Sequence, residues 1–161
     1  MNRAIAILGV GNLLRSDDGV GPQAAQALSL APPPGSRVAD VGTDFLSAIP
    51  FLEAAQRVLI IDAVHGGRAP GAIYDLRESE LAPRSGPLAA HALTLLDVRD
   101  LMAPGSSWPE IRILGVEPAV LDYGLQLSPP VAAALRRIMA LTYEIVAVWC
   151  DRTELACTRE E

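Results

Sequence analysis

Short runs of residues that are apolar on both faces recur along this chain of 161 residues, and they restrict its fold more than any other feature. The clearest is Arg57–Ala63, in which four consecutive apolar residues lead into an acid. A strand that is apolar on both faces has to be covered on both faces, as in the parallel sheets of α/β proteins. We therefore predict strands at residues 4–10, 37–42, 57–63, 72–76 and 111–116.

Segments with helical periodicity separate these runs. They predict helices at residues 20–30, 44–55, 91–102 and 129–148. Strands that alternate with helices indicate an α/β fold, with a mainly parallel twisted sheet between two helical layers. We expect a single domain over residues 1–150, followed by a polar and flexible tail at 151–161.

The charge and composition exclude several classes of partner. The formal net charge is −6, and no run of Lys or Arg is present, so we expect no nucleic-acid partner. The apolar segment near the end of the chain carries Arg136, Arg137 and Glu144, which argues against membrane insertion. The two cysteines form no CxxC pair and indicate no thiolate metal site. We expect a monomer in the reducing cytoplasm.

Acidic residues and one histidine follow the predicted strands. Asp17 and Asp18 come after the first strand, Asp40 lies near the end of the second, Asp62 ends the third, and His91 opens the helix after the fourth. In an open parallel sheet, ligands bind beyond the carboxyl ends of the strands. Carboxylates and imidazole are suitable ligands for hard or borderline cations. These residues therefore predict a metal site at one edge of the sheet.

Each of these residues also has a purely structural interpretation. Either Asp17 or Asp18 could cap the following helix, and one carboxylate is enough for a cap. We expect Asp17 to serve in capping or packing and Asp18 to belong to the site. Asp62 fits a turn acid as well as a site residue. His65 is also a candidate ligand, but two glycines follow it and would hold it poorly, so we favour a surface loop. A lone histidine such as His91 is more often structural.

The first glycines also resemble half of a dinucleotide-binding fingerprint. Leu14 occupies the place of the third glycine, and two acids stand where a pyrophosphate would meet the helix. Their charge would repel that ligand, which disfavours a flavodoxin-like binding module for a nucleotide or flavin. No Gly-x-Ser-x-Gly segment indicates a serine nucleophile.

Six segments form an ordered set along the chain: GVGNLLRSDDGVG at residues 9–21, DVGT at 40–43, IIDA at 60–63, PG at 70–71, GVEP at 115–118 and GLQLS at 124–128. This set resembles the nickel–iron hydrogenase maturation proteases, and it extends nearly to the end of the chain.

The resemblance implies an endopeptidase, grouped with the aspartic peptidases, in a three-layer α/β/α sandwich of flavodoxin-like or phosphorylase-like type. Its substrate would be the precursor of a hydrogenase large subunit, which loses its C-terminal extension after nickel insertion. By motif position, the metal ligands fall on Asp18, Asp62 and His91. Asp40 is our candidate for a supporting catalytic acid. The nickel would arrive with the precursor, and we expect no permanently bound cofactor.

There are two alternative functions. One is a nickel checkpoint or chaperone that docks on the precursor without cutting it. The other is a related aspartic-type endopeptidase with a different substrate.

Overall fold

The computed structural model describes residues 5–80 and 98–157. Eight main elements follow one another along the chain: β1 (Ile5–Val10), α1 (Val20–Leu30), β2 (Ser36–Gly42), α2 (Ile49–Ala54), β3 (Arg57–Ala63), β4 (Ile73–Arg77), β5 (Glu110–Val116) and α3 (Pro129–Cys157). Short 3-10 helices lie at Ser16–Gly19, Phe45–Ala48 and Glu78–Glu80. The bounds of α1 and β3 are those predicted. Most of the helix predicted at 91–102 lies outside the described residues.

The five strands form one mixed sheet in the order β2-β1-β3-β5-β4. The strands β2, β1, β3 and β5 run parallel to one another, which confirms the prediction of a mainly parallel sheet. The edge strand β4 runs antiparallel to β5. Only residues 64–72 separate β3 from β4, and a parallel crossover needs a dozen residues or more, so the chain has to turn back.

The buried core lies on both faces of the sheet, because successive strand residues point to opposite sides. Leu59 and Ile61 of β3 belong to the core under α1 and α3. Val58 and Ile60 belong to the opposite core, under α2. Helices therefore cover both faces, which confirms the predicted α/β/α layers.

Two glycines bring the start of α1 close to the sheet. A Cβ atom at Gly21 would collide with the carbonyl oxygens of Val10 and Ile61, and one at Gly9 would collide with the carbonyl of Gly21. The glycines of the opening motif thus serve close packing of the helix on the sheet. This contact places the beginning of α1, and the short helix before it, at the carboxyl edge of β1 and β3.

The strands β2, β4 and β5 differ from their predicted bounds by one residue, and the predicted helices at 44–55 and 129–148 differ by more. The segment predicted as one helix at 44–55 is a 3-10 helix followed by α2. At the start of the 3-10 helix, the Asp44 carboxylate accepts the N–H of Leu46 at 2.9 Å. The helix α3 continues to Cys157, so the end predicted at Val148 was wrong. Trp149 is buried in the core, and this burial supports helix beyond the predicted end. Within residues 5–80 and 98–157, no helix is long and apolar enough to cross a membrane.

Candidate active site

The order of the strands reverses between β1 and β3. The chain passes from β1 through α1 to β2 on one side, then returns through α2 to β3 on the other side of β1. In such sheets, the connections leave a crevice outside the carboxyl ends of the two central strands, and ligands bind there. The crevice between β1 and β3 is therefore the expected position of a ligand site.

Asp18 lies at this crevice, on the short helix that follows β1 and sits beside β3. Its Oδ2 atom accepts the N–H of Asn12 at 2.9 Å, which fixes the half-buried carboxylate against the preceding loop. Gly11 has φ +134°, and a Cβ atom there would collide with the carbonyl of Asp18, so the tight fold of this loop requires glycine. Among the described residues, none donates a hydrogen bond to Oδ1 of Asp18.

Asp62 reaches the same edge from β3, where it pairs with Gly115 of β5. It is 6% exposed, and its Oδ1 atom accepts the N–H of Ala63 at 2.8 Å. Of the two interpretations that the sequence leaves open, an ordinary exposed turn acid does not fit this burial. Asp18, on the short helix after β1, and Asp62, near the end of β3, thus lie at the same edge of the sheet.

Asp40 lies two residues before the end of β2, on the side of β1 that faces away from β3. Its exposed carboxylate accepts the N–H of Gly42 at 2.9 Å and the side-chain amide of Gln26 at 3.3 Å. It borders an open cleft of about 210 Å³ whose lining residues are Gly11, Asn12, Leu13, Pro22, Asp40, Gly42 and Thr43. A role for Asp40 as a supporting acid stays a prediction.

His91, the third predicted ligand, lies outside the described residues. Within the described ranges, no three His, Cys, Asp or Glu side chains are arranged to hold a metal ion. The described part of the site therefore consists of the two carboxylates, and the role of His91 stays a prediction.

Asp17 is a structural residue, as predicted, but it does not cap α1. Its carboxylate is fully buried and accepts four hydrogen bonds of 2.6–2.8 Å, from the N–H groups of Ala119, Val120 and Ser128 and from the Ser128 hydroxyl. Burial raises the pKa of Asp17, but the hydrogen bonds outweigh burial, and the pKa lies below its ordinary value. Asp17 therefore anchors the segment 118–128 against the opening motif.

Glu117 is another buried carboxylate, 4% exposed, and in the sequence it appeared only as part of a motif. It accepts the hydroxyl of Tyr74 and, at 2.8 and 3.3 Å, the N–H groups of Gly66 and Arg68. Burial raises the pKa of Glu117, and these hydrogen bonds bring it below its ordinary value. Glu117 thus holds the loop that follows Asp62. No local sequence signal predicts this, because the donors come from two distant segments.

His65 lies in that loop, and its side chain is half exposed, as predicted. Its Nδ1 atom lies 3.3 Å from Oε1 of Glu117. The expectation that the two following glycines leave His65 poorly held is therefore wrong, because a buried carboxylate from the end of β5 reaches it.

The chain is similar in sequence to known proteins over most of its length. The family model described as "Hydrogenase maturation protease" (HycI) matches residues 25–145, most of the chain. The chain belongs to the hydrogenase maturation protease family. The hydrogenase expression/formation protein HupM of Azotobacter chroococcum is 34% identical over 97% of this chain and 76% of its own length.

Solved structures agree with this assignment. The [NiFe] hydrogenase maturation protease HybD of Thermococcus kodakarensis superimposes with a TM-score of 0.75 and 27% identity, over 88% of this chain and 98% of that protein. The hydrogenase maturating endopeptidase HybD of Escherichia coli gives 0.71 and 27%, over 88% and 93%. This maturation protease is therefore a peptidase with the family's α/β fold. Its resemblance to the family, first seen in the ordered motifs, is confirmed.

Proposed function

We propose that this maturation protease removes the C-terminal extension of a nickel–iron hydrogenase large-subunit precursor, and that it recognises nickel already inserted in the precursor. The observation that carries the proposal is the delivery of Asp18 and Asp62 to one edge of the sheet, at the crevice between β1 and β3. The names of the relatives support the class of substrate. We also propose that the protease works in the cytoplasm as a monomer.

In this proposal, the protease supplies an incomplete set of nickel ligands. Asp18 and Asp62 offer carboxylate oxygens, and His91 offers an imidazole nitrogen. The remaining coordination positions belong to groups of the precursor. The scissile peptide is then held in register only when nickel is present, so that cleavage depends on nickel insertion.

The chemical step is hydrolysis of one peptide bond. Water adds its hydroxyl to the carbonyl carbon, a carboxylate accepts the proton, and the proton passes to the leaving amine. Asp40 is our candidate for a supporting acid near this step. Its position across β1 from Asp62 suits contact with a bound peptide more than contact with nickel itself.

The proposal is tested by presenting nickel-loaded and metal-free precursor to the metal-stripped protease and measuring the mass of the product. We expect loss of the C-terminal extension from the nickel-loaded form alone. Equal cleavage of both forms would contradict recognition of nickel and leave the peptidase assignment standing. A bound but uncut precursor would favour the checkpoint alternative.

Variants of the three ligands test the site itself. Asp18→Ala, Asp62→Asn and His91→Ala should each abolish cleavage. Asp62→Asn keeps one oxygen that can accept the N–H of Ala63, and it replaces the other carboxylate oxygen by an NH2 group, which removes the charge. The matched control is Asp151→Ala, which removes an exposed carboxylate near the end of α3. Full activity in any of the three variants would remove that residue from the site.

A further inference from the structure

Four large apolar side chains are exposed on two segments beside the candidate site. Leu14 is 58% exposed, Val120 40%, Tyr123 90% and Leu125 70%. We call these four residues the apolar rim. Single exposed apolar residues are ordinary on a protein surface, but a concentration of them marks an interaction site.

The two segments that carry the rim are joined through their backbones. The N–H of Gly124 donates to the carbonyl of Leu14 at 2.9 Å, and the N–H of Ser16 donates to the carbonyl of Gly124 at 2.8 Å. The N–H of Asp17 donates to the carbonyl of Val120 at 3.1 Å. The rim is therefore carried by one hydrogen-bonded unit and not by two independent loops.

Two buried polar groups hold this unit in place. The Asp17 carboxylate anchors the segment 118–128 through its four hydrogen bonds. Ser16 adopts the left-handed conformation, with φ +46°, and its hydroxyl donates to the carbonyl of Asp122 at 3.0 Å. A surface held in advance loses less conformational entropy when a partner binds, which favours binding through its apolar residues.

The rim is also continuous with the candidate active site. The N–H of Leu14 donates to Oδ1 of Asn12 at 2.9 Å, and the N–H of Asn12 donates to Oδ2 of Asp18 at 2.9 Å. One short loop thus carries both a rim residue and a predicted nickel ligand. A partner that presents nickel to Asp18 has to lie against this loop.

We infer that the apolar rim is the docking surface for an apolar segment of the hydrogenase precursor, close to its nickel centre; this rests on the proposed function. Charge argues against a second copy of the chain as the occupant. Each copy carries a formal charge of −6, so two copies repel each other. The rim is continuous with the Asn12–Asp18 segment, which the precursor has to approach, and this continuity favours the precursor as the occupant.

The inference is tested with Leu125→Ser and Tyr123→Ala, alone and combined, against nickel-loaded precursor. The combined variant should raise KM roughly tenfold or more, as loss of a buried aromatic or aliphatic anchor does, and leave kcat and Tm nearly unchanged. The matched control is Leu30→Ser, at the far end of α1, where the side chain is 90% exposed. It should not change KM. A KM of the combined variant within about twofold of wild type would overturn the inference.

Binding measurements separate this inference from the proposed function. If wild-type protease does not cleave the precursor, the proposed function fails, and the Kd for nickel-loaded precursor still tests the rim. A photo-crosslinking amino acid in place of Tyr123 should form crosslinks to an apolar segment of the precursor, and one in place of Leu30 should not. Crosslinks to a second copy of the chain, with a sedimenting dimer that Leu125→Ser dissociates, would overturn the choice of occupant.

Discussion

Replacement of Asp17 by alanine should destabilise the protein far more than the same replacement of its neighbour Asp18. The Asp17 carboxylate is fully buried and accepts three backbone N–H groups and one hydroxyl. In Asp17→Ala, these donors lose their acceptor at the centre of the contact between the opening motif and the segment 118–128. The half-buried Asp18 carboxylate accepts one N–H group, from Asn12.

The expected magnitude follows from the lost bonds. A buried donor without a partner costs about 1–3 kcal/mol, and three backbone donors would give roughly 3–9 kcal/mol if none relaxed. Local movement and water entry reduce this sum. The variant also avoids the free-energy cost of burying a carboxylate, which reduces the net loss further. We therefore expect a loss of about 3–5 kcal/mol in the free energy of unfolding, as when a buried charged pair is broken. For a chain of this length, Tm should fall by roughly 6–20 °C.

Chemical denaturation followed by fluorescence of the buried Trp149 measures these changes. Asp18→Ala is the control, with an expected loss of about 0.5–1.5 kcal/mol for one hydrogen bond. A loss within about 1 kcal/mol for Asp17→Ala, or equal losses for the two variants, would refute the assignment of Asp17 as the anchor of the segment 118–128.

Three further predictions concern pH, packing and the exposed histidine. The folded pKa values of Asp17 and Glu117 lie below their ordinary values. Their contribution to the free energy of unfolding is therefore complete above about pH 5 and is lost as the pH falls through the folded pKa values. Melting temperatures measured from pH 7 to pH 3 test this. Gly21→Ala should lose at least about 3 kcal/mol, because the new Cβ collides with carbonyls of β1 and β3, whereas Gly67→Ala, in open space at φ +80°, should lose about 1–2 kcal/mol in the same denaturation assay. His65→Ala should keep most of the cleavage rate, because Glu117 retains its other donors.

Each of these has an outcome that contradicts it. A melting temperature that does not change down to pH 3 would show that the two buried carboxylates do not couple to folding. Equal losses for the two glycine variants would contradict the close contact of α1 with the sheet. If His65→Ala were inactive and His91→Ala active, the site would contain the other histidine.

The amino-acid sequence by itself was sufficient for much of the architecture. Uninterrupted apolar runs predicted the buried strands, and β3 has the predicted bounds, because a strand covered on both faces is apolar at successive positions, as residues 58–61 are. Polar residues after these runs then pointed to one edge of the sheet. The ordered motifs indicated the family.

The tertiary structure decided how neighbouring residues divide their roles. Asp17 and Asp18 are adjacent carboxylates on one short 3-10 helix, where three residues make a turn, so their side chains leave it in different directions. Asp17 meets donors that lie 102–111 residues away in sequence, and no local pattern reveals such a contact. For the same reason, the sequence does not predict the role of Glu117 or the hydrogen-bonded unit that carries the apolar rim. Their partners become neighbours only when the chain folds, and a buried carboxylate is stable only where such hydrogen-bond donors converge.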